Sequence, residues 1–159
     1  MTSNTEDVKV EAPAGPAPMV FQFPAGIPGY ESSRLYHLFK LGPEFGPYMA
    51  LRCLDEEGGP TFVLVHPNDS IGEYVIEIDD EHQAKLGLEN SDDALVMMIC
   101  TLGRRSSAPT CNTYAPIVFN VANKLAYQVP QPGSEFGLKV QLDAPFFDAA
   151  RVKSQSADV

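Results

Sequence analysis

The sequence predicts an all-β domain with one short helix, and three observations predict it. Apolar and polar residues alternate with a period of two in several short runs. Clusters of proline, glycine, asparagine and aspartate separate those runs at short intervals. One segment, 79–87, carries both a helix start and a helix stop signal. Seven to nine strands are expected, spaced as in a barrel or a sandwich, and the pattern does not separate the two.

In chain order, residues 11–18, EAPAGPAP, hold three prolines and no large side chain, as an extended tail does. A short strand at 19–23 is closed by Pro24. The segment FPAGIPGYE, 23–31, has two prolines and two glycines, which fix a corner. Ile27 and Tyr30 are held in that corner, either plugging the core end or facing outward. Residues 35–41 alternate, Leu35, His37, Phe39 and Leu41 against Tyr36, Leu38 and Lys40, and predict a strand. After a Gly/Pro loop, strands at 48–54 and 61–66 flank the polar turn 55–60, giving a meander. Tyr74, Ile76 and Ile78 alternate with polar or small neighbours and predict a further strand at 73–78.

Asp79 is placed to cap a helix over 80–86, and Gly87 to end it in a left-handed turn. Two turns do not stand alone in water, so packing must hold them. The run ALVMMICTL, 94–102, is apolar throughout and predicts a central strand. The loop 103–109 pairs Arg104 with Arg105. Residues 110–121 are extended but interrupted by Pro116, which suits an edge, a bulge or a corner. A turn at Asn123 and Lys124 leads to a strand at 125–129, and 138–142 alternates once more. The expected organisation is one domain at 19–147, between flexible tails at 1–18 and 148–159.

The 159 residues carry a formal charge of −10. The excess is lopsided: residues 1–80 hold 13 acids and 4 bases, the rest 8 and 7. Such a surface repels phosphate backbones, so no direct nucleic-acid binding is expected, and a basic protein partner is favoured over it. Composition alone favours plain solubility over a partner as the reason for the charge. No run approaches 18 apolar residues, so no membrane span is expected, and the first 15 residues lack the basic and apolar regions of a signal peptide. A cytoplasmic location is the expectation. Cys53, Cys100 and Cys111 are odd in number and lie in or beside apolar runs; they read as buried thiols, not a disulfide frame.

Catalytic and metal chemistry find little to use. His37, His66 and His82 have no short repeating spacing, and no C-x-x-C pair occurs, which argues against zinc. Glu77, Asp79, Asp80 and Glu81 lack the twelve-residue loop of a calcium site and read as a solvated acidic face. Ser106 and Ser107 lack a G-x-S-x-G elbow, Cys100 sits where desolvation disfavours a thiolate, and no phosphate-binding glycine loop is present. Neither an enzyme activity, a cofactor nor a metal is expected. Two surfaces remain. One is the stretch 73–93, with eight acids and one lysine. The other joins 23–30 with 112–128, where Asn112, Asn120 and Gln128 either hold irregular backbone or recognise an extended or helical peptide.

Three segments resemble the FliW family of flagellar assembly factors. FQFPAGIPGYE at 21–31 is similar to its F-x-F-P-x-G-I-x-G-F/Y-E opening. FVLVHPNDSIGEYVIEI at 62–78 resembles its middle strand and turn, and NTYAPIVFNVANKLAYQV at 112–129 its N-L-x-x-P-I-v-i-N…Q segment, with Thr113 where the family usually has Leu. They run in the family's order from Phe21 to Val129. The resemblance carries Phe23, Gly26, Ile27, Gly29 and Tyr30 from the first motif, Pro67 and Tyr74 from the second, and Asn112, Pro116, Asn120 and Gln128 from the third. It implies a small, mostly antiparallel β-barrel-like domain without catalysis, which binds the translational repressor CsrA and also flagellin. Flagellin would occupy the factor until exported; the freed factor would then capture CsrA and let flagellin synthesis resume. Ile27, Tyr30, Glu77, Asp79, Asp80 and Asn120 are the expected contact residues. The alternative is a non-catalytic β-barrel module for another protein or a small ligand.

Overall fold

The computed structural model describes residues 19–151 apart from Glu73, Arg105, Ser106 and Ser134. The alternating runs become strands β1 (Met19–Gln22), β2 (Leu35–Lys40), β3 (Met49–Cys53), β4 (Thr61–Val65), β5 (Ala94–Thr101), β6 (Thr110–Cys111), β7 (Ile117–Asn120), β8 (Leu125–Gln128) and β9 (Val140–Gln141). Helix α1 (Asp80–Leu86) lies between β4 and β5. Strands β1 to β4 form an antiparallel meander, with Phe21 opposite Tyr36, Leu38 opposite Leu51 and Leu51 opposite Phe62. β4 pairs with β5, β5 with β7, and β7 with β8, all antiparallel. β8 returns to β1 through a parallel contact, Gln22 to Leu125. Seven strands therefore close into a ring, and β6 and β9 extend it beside β5. The closure of β4 on β5 and β8 on β1 resolves barrel from sandwich, and the all-β, mostly antiparallel barrel-like expectation is what forms.

Side chains fill the ring. Phe21, Phe23, Tyr36, Leu38, Leu51, Leu64, Met97, Ile117 and Phe119 are at most 2% exposed. Phe21 meets Phe119 edge-on at 4.7 Å, and Phe23 meets Tyr36 at 4.9 Å. Two smaller clusters cover the outer face. Leu86, Leu88, Val118 and Val129 pack with Ile76 and Ile78 in one; Tyr48, Val65, Met98, Cys111 and Leu142 pack with Phe146 in the other. Met97 thus faces the barrel interior and Met98 an outer cluster. Burial on both faces is why 94–102 is apolar without alternation.

One expected strand differs. Residues 74–78 keep their alternation but pair with no strand among the described residues. They lie across the outer face, where Ile76 and Ile78 pack against the cluster of Leu86, Leu88, Val118 and Val129. At 138–142, strand pairing is limited to Val140 and Gln141. The helix forms over the predicted residues: Asp79 Oδ1 accepts from the His82 N–H at 2.8 Å, and Gly87 closes it at φ 65°. Cys53, Cys100 and Cys111 are buried free thiols. Residues 1–18 and 152–159 lie outside the described residues. Packing runs past position 147: Arg151 donates to the Pro145 carbonyl at 2.7 Å and to that of Glu44 at 3.1 Å.

Candidate protein-binding surface

The corner after β1 is set by glycine. Gly26 takes φ 69°, and a Cβ there would lie 2.7 Å from the Glu31 Cα, so backbone passes too close for any side chain. The Tyr30 N–H donates to the Ile27 carbonyl at 2.7 Å. This tight turn separates the two expected contact residues. Ile27 is 3% exposed and plugs the barrel end; Tyr30 is 46% exposed, its ring edge-on to Phe62.

Between 112 and 116 the chain leaves the ladder, and side chains replace strand bonds there. Asn112 Oδ1 accepts from the N–H groups of Tyr114 and Ala115 at 2.9 and 3.0 Å. Gln128 Nε2 donates to the Ala115 carbonyl at 2.8 Å, and the Tyr74 hydroxyl to that of Thr113 at 2.6 Å. Thr113 Oγ1 donates to the Gly137 carbonyl and accepts from its N–H, and so fastens the neighbouring loop. The corner and this segment then face each other across a groove of about 530 Å³. Ile27, Tyr114, Tyr127, Gln128 and Leu138 line it, with His82 and Lys85 of α1 at one side. Leu138 is 65% exposed, and Gln128 Oε1 is buried with no hydrogen-bond partner among the described residues. A groove lined largely by apolar side chains suits the apolar face of a partner segment.

The acidic face is built on α1 and its flanks. Glu77, Asp79, Asp80, Glu81, Glu89 and Asp92 are exposed. The His82 backbone N–H, then its ring, hold the Asp79 carboxyl below the usual carboxylate range. Hydrogen bonding to Lys85, then its charge, does the same for Glu81 across a 2.9 Å ion pair. The face is therefore anionic at neutral pH, with Lys85 engaged to Glu81.

Asn120 is 2% exposed and scaffolds this face from beneath. Its Nδ2 donates to the Leu86 carbonyl at 2.9 Å, as does Asn123 Nδ2 at 2.8 Å, so two amides pin the end of α1 to the barrel. Its Oδ1 accepts from the Ala122 N–H at 2.9 Å and shapes the β7–β8 turn. Of the expected contact residues, Tyr30, Glu77, Asp79 and Asp80 thus present side chains to solvent, while Ile27 and Asn120 are turned inward by packing and hydrogen bonding. Gln131 had no signal in the sequence. It is 2% exposed, sits between two prolines, and bonds Glu77 through both backbone groups.

Among the described residues no group of three or more His, Cys, Asp or Glu converges as a metal site. Burial pushes the Cys100 thiol up to about 12 and the Cys111 thiol up to about 11, far from a reactive thiolate. No helix among the described residues is long and apolar enough to cross a membrane.

The FliW protein family matches residues 5–142. The chain is 32% identical over 118 residues to the flagellar assembly factor FliW of Clostridium botulinum (strain Alaska E43 / Type E3), covering 74% of this chain and 82% of that one. It is 29% identical over 120 residues to FliW of Bacillus subtilis (strain 168), covering 76% and 82%. The crystal structure of a flagellar assembly factor FliW superposes with a TM-score of 0.71 at 27% identity, over 79% of this chain and 86% of that one.

Proposed function

We propose, from the premise that this chain belongs to the FliW family, that it is a flagellar assembly factor that switches between the translational repressor CsrA and flagellin. Membership makes it a non-catalytic adaptor rather than an enzyme. The observation that carries the reading is an anionic outer face on a barrel whose interior is filled. A packed interior leaves recognition to the surface. An RNA-binding protein presents a basic surface, so charge favours the face around Asp79, Asp80 and Glu89 for CsrA. The groove lined by Tyr114 and Leu138 is then left to flagellin. Helix α1 borders both, because His82 and Lys85 line the groove while Asp79 and Asp80 lie on the acidic side. Each partner would obstruct the other there, as a switch requires. The reading places the chain in the cytoplasm, away from nucleic acid and membrane.

Calorimetric titration with purified CsrA and flagellin from the same organism tests it. Each should bind alone, and prebound flagellin should exclude CsrA. Simultaneous binding of both at full affinity would refute the switch. Association with CsrA should also slow about tenfold or more between low and high salt, because screening removes charge steering. A salt-independent rate would remove that role from the acidic face.

A further inference from the structure

Residues 74–79 show the side-chain alternation of a strand and have no strand beside them among the described residues. Tyr74, Ile76 and Ile78 are partly buried; Val75, Glu77 and Asp79 are exposed, Val75 at 76%. The two backbone groups of Glu77 are both taken by the Gln131 amide, at 2.7 and 2.9 Å. In extended backbone, successive residues direct their N–H and C=O groups to opposite edges. Ile76 and Ile78 therefore direct theirs away from Gln131. Among the described residues neither has a hydrogen-bond partner for its backbone groups. Ile76 and Ile78 line a groove of about 260 Å³ together with Leu88, Glu89, Asn90 and Ser91.

We infer that this edge is a strand-addition site that takes an extended, basic segment of a partner protein. The segment would lie in the groove and pair with the N–H and C=O groups of Ile76 and Ile78, two residues apart, as one strand pairs with the next. Its alternate side chains would point at Leu88 and Ala94 on the groove floor. The others would point at solvent, among Glu77, Asp79, Glu89 and Asp92, which favour lysine or arginine over acids. Gln131 serves as the false strand on the far edge and leaves the near edge open. The inference rests on the reading that the acidic face takes a basic partner, and it adds the mode by which that partner is held.

The probe is a capped seven-residue peptide alternating lysine and valine, with two N-methylated forms, one methylated at every valine and one at every lysine. N-methylation deletes donors along one edge of an extended peptide and leaves its charge unchanged. With the full chain, the parent peptide should bind, and hydrogen exchange at the Ile76 and Ile78 amides should slow. One methylated form should bind about tenfold or more weaker, the other near the parent affinity, because a single edge is used. Equal binding of all three with unprotected Ile76 and Ile78 amides would overturn strand addition while leaving charge attraction standing. No binding of the parent at low salt would overturn the acidic-face reading itself.

Discussion

Gln131 holds Glu77 as a neighbouring strand would: its Oε1 accepts from the Glu77 N–H at 2.7 Å, and its Nε2 donates to the Glu77 carbonyl at 2.9 Å. The same Nε2 donates to the Val129 carbonyl at 3.2 Å. One buried amide thus ties the segment leading into α1 to the chain leaving β8. That tie fixes where the acidic residues sit. Gln131→Ala should cost about 2–3 kcal/mol in chemical denaturation, because it leaves backbone groups without partners in a largely buried place. Amide exchange at Glu77 should accelerate with it. Unchanged exchange at Glu77 would show that the bond is dispensable.

Asn120→Ala separates scaffolding from contact. Losing the bonds to Leu86 and Ala122 should destabilise the fold by about 2–3 kcal/mol. The affinity of the remaining folded protein for CsrA should fall less than that of a variant at exposed Asp80. A large affinity loss at unchanged stability would make Asn120 a contact residue after all.

The corner at 23–31 makes a paired prediction. Gly26→Ala drives a Cβ into Glu31 backbone at positive φ and should cost about 3 kcal/mol or more. Gly29→Ala meets nothing within 4 Å and carries only the left-handed strain of φ 91°, about 1–2 kcal/mol. Thermal melts of the two should rank Gly26 as the more sensitive. The reverse order would contradict the close approach to Glu31.

Alkaline titration reports on the packing. Burial, the largest cause in each case, pushes the Tyr36, Tyr48 and Tyr74 hydroxyls up to about 12. In the unfolded chain they titrate near the ordinary value of 10.0. A raised folded value means that the neutral form favours folding. This stability is complete below about pH 10 and is lost as pH rises toward about 12. Absorbance at 295 nm should show late steps for three of the six tyrosines, coincident with unfolding by circular dichroism. Complete ionisation near pH 10 in a still-folded protein would contradict it.

Much of the barrel was legible because its strands bury one face. Leu38 lies in a run that reads as alternating, and Leu51 opposite it in a run bounded by a Gly/Pro loop and the polar turn 55–60. Helix α1 was legible to the residue, since Asp79 and Gly87 are chemically specific caps. Residues 74–78 show the limit. Alternation reports which side chains are buried, not what lies beside the backbone, so a segment crossing an outer face reads like a strand within a sheet. Ring closure between Leu64 and Ile99 joins residues far apart in sequence and leaves no local mark. At the surface, the acidic stretch was visible as composition. The inward turn of Ile27 and Asn120 was not, because a motif shows residue types without their orientation. Gln131, a polar residue in a proline-rich loop, has no periodicity to betray it.

On the proposed function, two adjoining outer surfaces serve two different proteins. Calorimetry with Glu77→Lys/Asp80→Lys/Glu89→Lys on one side and Leu138→Asp on the other decides whether they do, since all four positions are exposed. The first variant should lose about tenfold or more in affinity for CsrA and keep flagellin; the second should do the reverse. Wild-type protein that binds neither partner, or variants that bind both as the wild type does, would contradict it.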